Sequence, residues 1–124
     1  MSDKSMLGMT NPKHKPEKVN ILGTDYEIIE TTANDEPRLE NADGWCGYYD
    51  NQILIESNAF KHHQGGDVEL LKTEYKKFIK RHEICHAFFN ESALDDYNRN
   101  EQLVTWIARQ FPKMLKAFEQ VDAI

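Results

Sequence analysis

The segment His82-Glu83-Ile84-Cys85-His86 places two histidines four residues apart, with a glutamate directly after the first. On an α-helix this spacing is a rotation of about 400°, so the two imidazoles lie within about 40° of each other around the axis. Both rings can therefore bind one metal ion, as in zinc sites of this spacing. Glu83 projects beside the ion, where its carboxylate can take a proton from a zinc-bound water. The pattern predicts metal-assisted hydrolysis of a peptide bond.

A hydrolytic zinc site generally has three protein ligands and an open fourth position, so one more ligand is expected downstream. We predict Glu101, because it opens the next helix and the residues between 87 and 100 allow the chain to turn back over the first helix. Two histidines and one glutamate form a donor set that suits Zn²⁺. Three other carboxylates compete for this role: Glu91, Asp95 and Asp96.

The group that polarises the scissile carbonyl is less clearly marked by the sequence. Tyr97 and His63 are candidates for contacting the substrate or the developing oxyanion, and Tyr48 and Tyr49 are alternatives. Each of these side chains also has an ordinary interpretation, as an interfacial aromatic ring or an exposed loop histidine.

The two histidines require a helix, and the apolar periodicity predicts one from Asp67 to about Asn90, with Asp67 as the N-cap. Apolar side chains recur on the same face as His82, while three lysines fall on the far side, so the histidines are expected to face the core. After a polar loop, Asn100 is predicted to cap a second helix and Pro112 to open a third.

Upstream of this helix, alternating apolar residues predict two β-hairpins separated by a polar surface loop. The predicted strands are Val19–Leu22, Tyr26–Glu30, Cys46–Tyr49 and Ile53–Ile55. We therefore expect an α+β, zincin-like fold: a small antiparallel sheet of two hairpins packs on the long helix, which two shorter helices follow. A peptide substrate is expected to add to the sheet edge along Ile53–Glu56.

Length and composition favour one small domain. The chain has 124 residues, and we predict a flexible tail over residues 1–17 and a single domain over 18–124. The net charge is −6, from 15 basic and 21 acidic residues, which disfavours binding to nucleic acid. No apolar run approaches the roughly 20 residues of a membrane span, and the start of the chain lacks a secretory signal. The two cysteines form no disulfide or zinc-knuckle pattern, so we expect a cytosolic protein.

Several stretches of the sequence together resemble a known family. They are Arg81–Phe88, Glu91-Ser92, Asn100–Ala108 and Pro112-Lys113, and the likeness extends to Val19–Tyr26 and Gly47–Ile55. In these stretches the chain resembles short phage- and prophage-encoded proteins that are regarded as zinc metallopeptidases. It is more distantly similar to minimal gluzincins and to the repressor-cleaving metallopeptidases of mobile elements. One departure is Ala93, which stands where the turn after the helix favours glycine.

The resemblance implies that His82, His86 and Glu101 bind zinc, that Glu83 is the base, and that the substrate is a protein or peptide. A first alternative is a non-catalytic module in which zinc stabilises a small fold that binds a phage or host protein. A second alternative is a metal-free interaction protein. An open ligand position on the metal would favour catalysis, and a fourth protein ligand would favour a structural site.

Overall fold

The computed structural model describes residues 16–58 and 68–124, which form a four-stranded sheet and three α-helices. The elements are β1 (Glu17–Ile21), β2 (Thr24–Thr31), a 3-10 helix (Pro37–Leu39), β3 (Gly44–Cys46), β4 (Gln52–Glu56), α1 (Val68–Glu91), α2 (Asp95–Asn98) and α3 (Glu101–Gln120). The α+β class agrees with the sequence-based expectation. Residues 1–15 of the predicted tail and the predicted cap Asp67 lie outside the described residues. None of the helices in the described ranges has the length and apolar character needed to span a membrane.

The first predicted hairpin is confirmed. Strands β1 and β2 pair antiparallel, with Val19 opposite Tyr26. The two turn residues Leu22 and Gly23 both have positive φ, at 52° and 99°. Two successive positive φ values are typical of the tight turn whose twist matches that of the flanking strands, and glycine adopts this conformation without steric cost.

The prediction of a purely antiparallel sheet is wrong, because β4 pairs parallel with β2 and the strand order is β1-β2-β4-β3. Its other neighbour, β3, pairs antiparallel with β4 as expected, but β3 is Gly44–Cys46, so the strand predicted over Cys46–Tyr49 is wrong except at Cys46. Ile53, Leu54 and Ile55 are all buried, which is typical of a strand covered on both faces. Strand β4 is therefore internal, and the sheet edge predicted along Ile53–Glu56 is already occupied on both sides.

Helix α1 matches the predicted long helix and packs across the sheet. Its buried residues Ile79 and Ala87 join the core formed by four strand isoleucines and Tyr26. Polar contacts also fix the helix. Glu91 accepts hydrogen bonds from the hydroxyls of Thr24 and Tyr26, each at 2.7 Å, at the end of α1 nearest this hairpin. Lys76 and Lys80, which were expected on the solvent face, form ion pairs with Glu30 of β2 and Glu17 of β1.

Helix α3 runs without interruption through Pro112, so the prediction of a new helix starting at this proline is wrong. A proline inside a helix has no N–H to donate to the carbonyl four residues earlier, here that of Ala108. The Nε of Arg81 on α1 donates to this carbonyl at 2.6 Å. A contact from another helix thus replaces the hydrogen bond whose absence motivated the predicted break. The short helix α2 lies where the sequence predicted a polar loop.

The turn that follows α1 is closed by Ala93 in the left-handed conformation, with φ of 57°. The N–H of Ala93 donates to the carbonyl of Asn90 at 3.1 Å, and the N–H of Leu94 to that of Phe89 at 3.0 Å. This pair of hydrogen bonds is the Schellman arrangement, in which glycine is the favoured residue. Ala93 therefore adopts the left-handed conformation at the position where the sequence analysis expected a glycine.

We expect Ala93→Gly to raise the free energy of unfolding by about 0.5–1 kcal/mol, because a left-handed alanine carries a steric penalty that exceeds the extra chain entropy of glycine. Urea denaturation measures this change. The matched control is Ala117→Gly, at an exposed position inside α3, which should lower the free energy by about the same amount. Equal destabilisation by both variants would contradict the role assigned to Ala93.

Candidate metal centre

Helix α1 presents the two histidines of the motif on one face. His82 and His86 are separated by one helical turn, their ring centroids lie 5.0 Å apart, and each side chain is 16% exposed. The rings therefore line a cavity while most of their surface is covered by protein. This is the arrangement that the spacing of four residues predicts.

The carboxylate of Glu101 meets both rings. Its Oε1 lies 3.2 Å from Nε2 of His82, and its Oε2 lies 2.9 Å from Nε2 of His86. Glu101 is the first residue of α3, and the side chain of Asn100 caps this helix by accepting a hydrogen bond from the N–H of Leu103 at 3.0 Å. The cap fixes the start of the helix and thereby the position from which Glu101 projects.

These three residues form a group that can hold a metal ion. Their ligand atoms all lie within 4.8 Å of one another. Within residues 16–58 and 68–124, they are the group of acidic, histidine and cysteine side chains that converges in this way. Around a tetrahedral ion with bonds of about 2.1 Å, ligand atoms lie about 3.4 Å apart. The distances from Glu101 to the two Nε2 atoms are close to this spacing.

The competing carboxylates are engaged elsewhere. Glu91 accepts from two hydroxyls of the first hairpin, and Asp96 forms an ion pair with Arg99 at 2.6 Å. Asp95 begins α2 with an exposed side chain. The structure thus brings Glu101, and none of its three competitors, to the histidines.

The hydrogen-bond chemistry of the rings also fits a cation. Nδ1 and Nε2 of His82 face carboxylate oxygens of Glu83 and Glu101, at 3.1 and 3.2 Å. Nδ1 of His86 faces Oδ1 of Asn98 at 2.6 Å, and its Nε2 faces Glu101. All four oxygens only accept hydrogen bonds, whereas a neutral imidazole has a single N–H. A metal ion bound at the two Nε2 atoms would give these nitrogens a partner that the acceptor oxygens alone do not provide.

The protonation of His82 follows the same logic. Its pKa is raised, first by the hydrogen bond with Glu83 and further by the negative charges of Glu83 and Glu101, against the opposing effect of burial. The surroundings thus favour positive charge at this ring. A divalent ion bound at Nε2 would supply positive charge at this ring.

Asn98 is a functional residue that the sequence analysis missed. It is 6% exposed, its Oδ1 faces Nδ1 of His86, and its Nδ2 donates to the hydroxyl of Tyr48 at 3.3 Å. A ligating histidine usually donates its second ring N–H to such an acceptor, which fixes the tautomer. A polar residue is therefore expected near His86. The segment between α1 and α3 contains several polar residues, and the structure shows that Asn98 is the one in contact with His86.

Glu83 is nearly fully buried, at 6% exposed, and its carboxylate contacts β3. A Cβ atom built on Gly44 would lie 2.7 Å from Oε2 of Glu83 and 2.7 Å from a methyl carbon of Ile79. Gly44 thus leaves the space that the carboxylate occupies beside His82. The sequence analysis placed Gly44 in a loop and gave it no such role.

The histidines lie in an open cavity of about 810 Å³ between β3, α1 and the start of α3. Tyr48 belongs to its wall, as do Thr105 and Arg109 of α3, which the sequence analysis did not single out. Tyr97 is outside the wall and packs against Phe89, with ring centroids 6.2 Å apart. Tyr49 is 97% exposed. The remaining candidate, His63, lies outside the described residues.

Two ionisable groups of the cavity wall are held neutral. Burial is the main cause that raises the pKa of the Cys46 thiol to about 12, and the negative charge of Glu83 adds to it. Burial also raises the pKa of Tyr75 to about 12, together with the hydrogen bond that its hydroxyl donates to Asp43. Cys46 is therefore a protonated thiol near neutral pH.

Comparisons with protein-family models, curated proteins and solved structures found no match to this chain. The resemblance to phage and prophage metallopeptidases therefore stays a prediction from the sequence. The proposed function accordingly rests on the geometry of the site.

We expect Asn98→Leu to weaken zinc binding about 10–100-fold, because Nδ1 of His86 loses the acceptor that fixes its tautomer. Asn98→Asp keeps an acceptor oxygen and should bind zinc at least as tightly as the wild type. Competition with a chromophoric chelator measures both affinities. Equal affinities for the leucine and aspartate variants would contradict this role for Asn98.

We expect Gly44→Ala to impair any activity that depends on Glu83 while leaving zinc binding within about twofold, since the added methyl group displaces the Glu83 carboxylate but none of the three ligands. The measurement pairs a zinc titration with a hydrolysis assay. Loss of zinc together with activity would show instead that the substitution disrupts the whole site.

Proposed function

We propose that this protein is a zinc-dependent peptidase. One observation carries the proposal: Nε2 of His82, Nε2 of His86 and the carboxylate of Glu101 converge in an open cavity that Glu83 also lines. Two nitrogen ligands and one carboxylate are the donor set of many hydrolytic zinc sites. When bound, zinc supplies Lewis acidity that lowers the pKa of water and polarises a peptide carbonyl.

Glu83 is the general base in this proposal. Its carboxylate lies within the cavity and adjoins His82, so it can accept a proton from the attacking water and pass it to the departing amine. It is not among the converging ligand atoms, which leaves its oxygens available for proton transfer. Its packing against Gly44 restricts the positions that the carboxylate can adopt.

The substrate is a protein or peptide that binds in extended form along β3. This strand lies at the edge of the sheet and lines the cavity with Trp45 and Cys46. In an antiparallel pair, backbone groups alternate between facing the partner strand and facing away. The backbone groups of Asp43 and Gly47 form hydrogen bonds with β4. Because the direction alternates from one residue to the next, the backbone groups of Gly44 and Cys46 point away from β4. A peptide can pair with them as an additional strand.

The alternative of a structural zinc module is less well supported by the ligand count. A structural site usually closes with four protein ligands, whereas the cluster in the described parts of the chain provides three. Three ligands leave a position for water or substrate, and the cavity beside them leaves room for a peptide. We therefore favour catalysis over a purely structural metal.

The decisive variant is Glu83→Gln, which keeps the size of the side chain but removes its basicity. We expect it to retain zinc and to hydrolyse peptide bonds roughly 10²–10⁴-fold more slowly than the wild type. The matched control is Glu74→Gln on the same helix, where the side chain is 60% exposed and pairs with Lys77. It should keep full activity.

The assay incubates zinc-loaded protein with a proteome-derived peptide library and identifies new termini by mass spectrometry. Cleavage by the wild type and by Glu74→Gln, but not by Glu83→Gln, is the expected result. Equal cleavage by Glu83→Gln would remove this residue from the mechanism. If zinc-loaded wild type cleaves nothing in the library, the non-catalytic zinc module becomes the better description.

A further inference from the structure

The hydrogen bond between Arg81 and the Ala108 carbonyl crosses the interface between α1 and α3. Arg81 precedes the ligand His82 directly, and Ala108 lies seven residues after Glu101, about 10 Å further along α3. The bond therefore joins the helix that carries both histidines to the helix that carries the third ligand. It lies close to the metal site without being part of it.

Pro112 makes the Ala108 carbonyl available to Arg81. An ordinary residue at position 112 would donate its N–H to that carbonyl within α3, and proline cannot. Arg81, which is partly buried, donates from Nε at 2.6 Å. The Ala108 carbonyl can thus bind Arg81 only when α1 and α3 have this relative position.

Apart from the contacts of Glu101 with the two histidines and the stacking of Arg109 on Phe78, the packing between these helices is apolar and specifies their relative position less strictly. Val104 and Ala108 of α3 are fully buried, but apolar contacts are non-directional and tolerate small shifts of one helix along another. A hydrogen bond loses its energy within a few tenths of an ångström and tens of degrees. Glu101 has to meet two imidazoles at about 3 Å, so a small slide of α3 would separate it from one of them.

We infer that Arg81 is a positioning residue for the metal centre: by binding the carbonyl that Pro112 leaves free, it holds α3 in the register that brings Glu101 to His82 and His86. This inference rests on the metal site of the proposed function and not on hydrolysis. Arg81 itself acts only through the placement of Glu101.

Arg81→Met tests the inference because methionine keeps an unbranched apolar side chain and removes every donor. We expect its zinc dissociation constant to rise about tenfold or more, in the range found when groups that orient metal ligands are removed. Arg81→Lys retains one charged donor and should recover most of the affinity. Competition with a chromophoric chelator gives the dissociation constants, and urea denaturation of metal-free protein gives the free energies of unfolding.

Pro112→Ala tests whether Arg81 positions α3 or only provides a hydrogen-bond donor to the Ala108 carbonyl. In the double variant Arg81→Met/Pro112→Ala, the N–H of residue 112 can bind the Ala108 carbonyl within α3. We expect the unfolding free energy of the metal-free double variant to equal that of Pro112→Ala, while its zinc affinity stays about tenfold weaker. The double variant also supplies the measurement if Arg81→Met alone does not fold.

Two results would overturn the inference. One is an unchanged zinc affinity in Arg81→Met, and the other is full recovery of affinity in the double variant, which would show that Arg81 only satisfies a carbonyl. The proposed peptidase activity fails separately, because a wild type that binds zinc and hydrolyses nothing leaves the positioning role intact. A wild type that binds no zinc would overturn both.

Discussion

The structure of the site depends on one electrostatic constraint: two imidazoles meet a single carboxylate, that of Glu101, through their Nε2 atoms. His82 lies between Glu83 and Glu101, and His86 lies between Glu101 and Asn98. Oxygens that only accept hydrogen bonds surround the four ring nitrogens, so positive charge is needed between them. A divalent ion bound at both Nε2 atoms would supply this charge and would account for the common carboxylate that the two rings face.

The scaffold holds the groups that create this constraint. Helix α1 is fixed to the sheet by apolar contacts of Ile79 and Ala87 and by the hydrogen bonds of Glu91 to the first hairpin. Strand β3 approaches α1 so closely that a Cβ atom at position 44 would lie 2.7 Å from Glu83 and from Ile79. Helix α3 brings Glu101 to the two histidines. The cavity is thus bounded by a sheet edge on one side and by a helix on the other, with the histidines at its base.

Much of the site was predictable because its residues lie at helical spacing. The separation of His82 and His86, the first hairpin and the extent of α1 all derive from local patterns of apolar and polar residues. Glu101 was predictable once a third ligand was required, since a helix start caps well at Asn100. Asn98 and Gly44 were not, because their roles depend on contacts with residues far away in the sequence.

The wrong predictions have a common cause. Local patterns indicate strands and helices, but the parallel pairing of β2 with β4 and the continuation of α3 through Pro112 depend on long-range contacts. The sequence analysis placed a sheet edge along Ile53–Glu56, whereas Ile53, Leu54 and Ile55 are buried in a strand paired on both sides, a pairing that their local pattern does not encode. At Pro112 the usual helix-breaking rule was overridden by Arg81, which binds the free carbonyl from another helix.

The most direct test of the metal centre is the zinc content of protein purified without added metal, measured by elemental mass spectrometry. We predict about one zinc per chain in the wild type and a loss of this zinc in His82→Ala, which removes one of three ligands. A wild type that contains no zinc and takes up none on titration would contradict the metal centre. The site would then have no zinc-dependent role in hydrolysis.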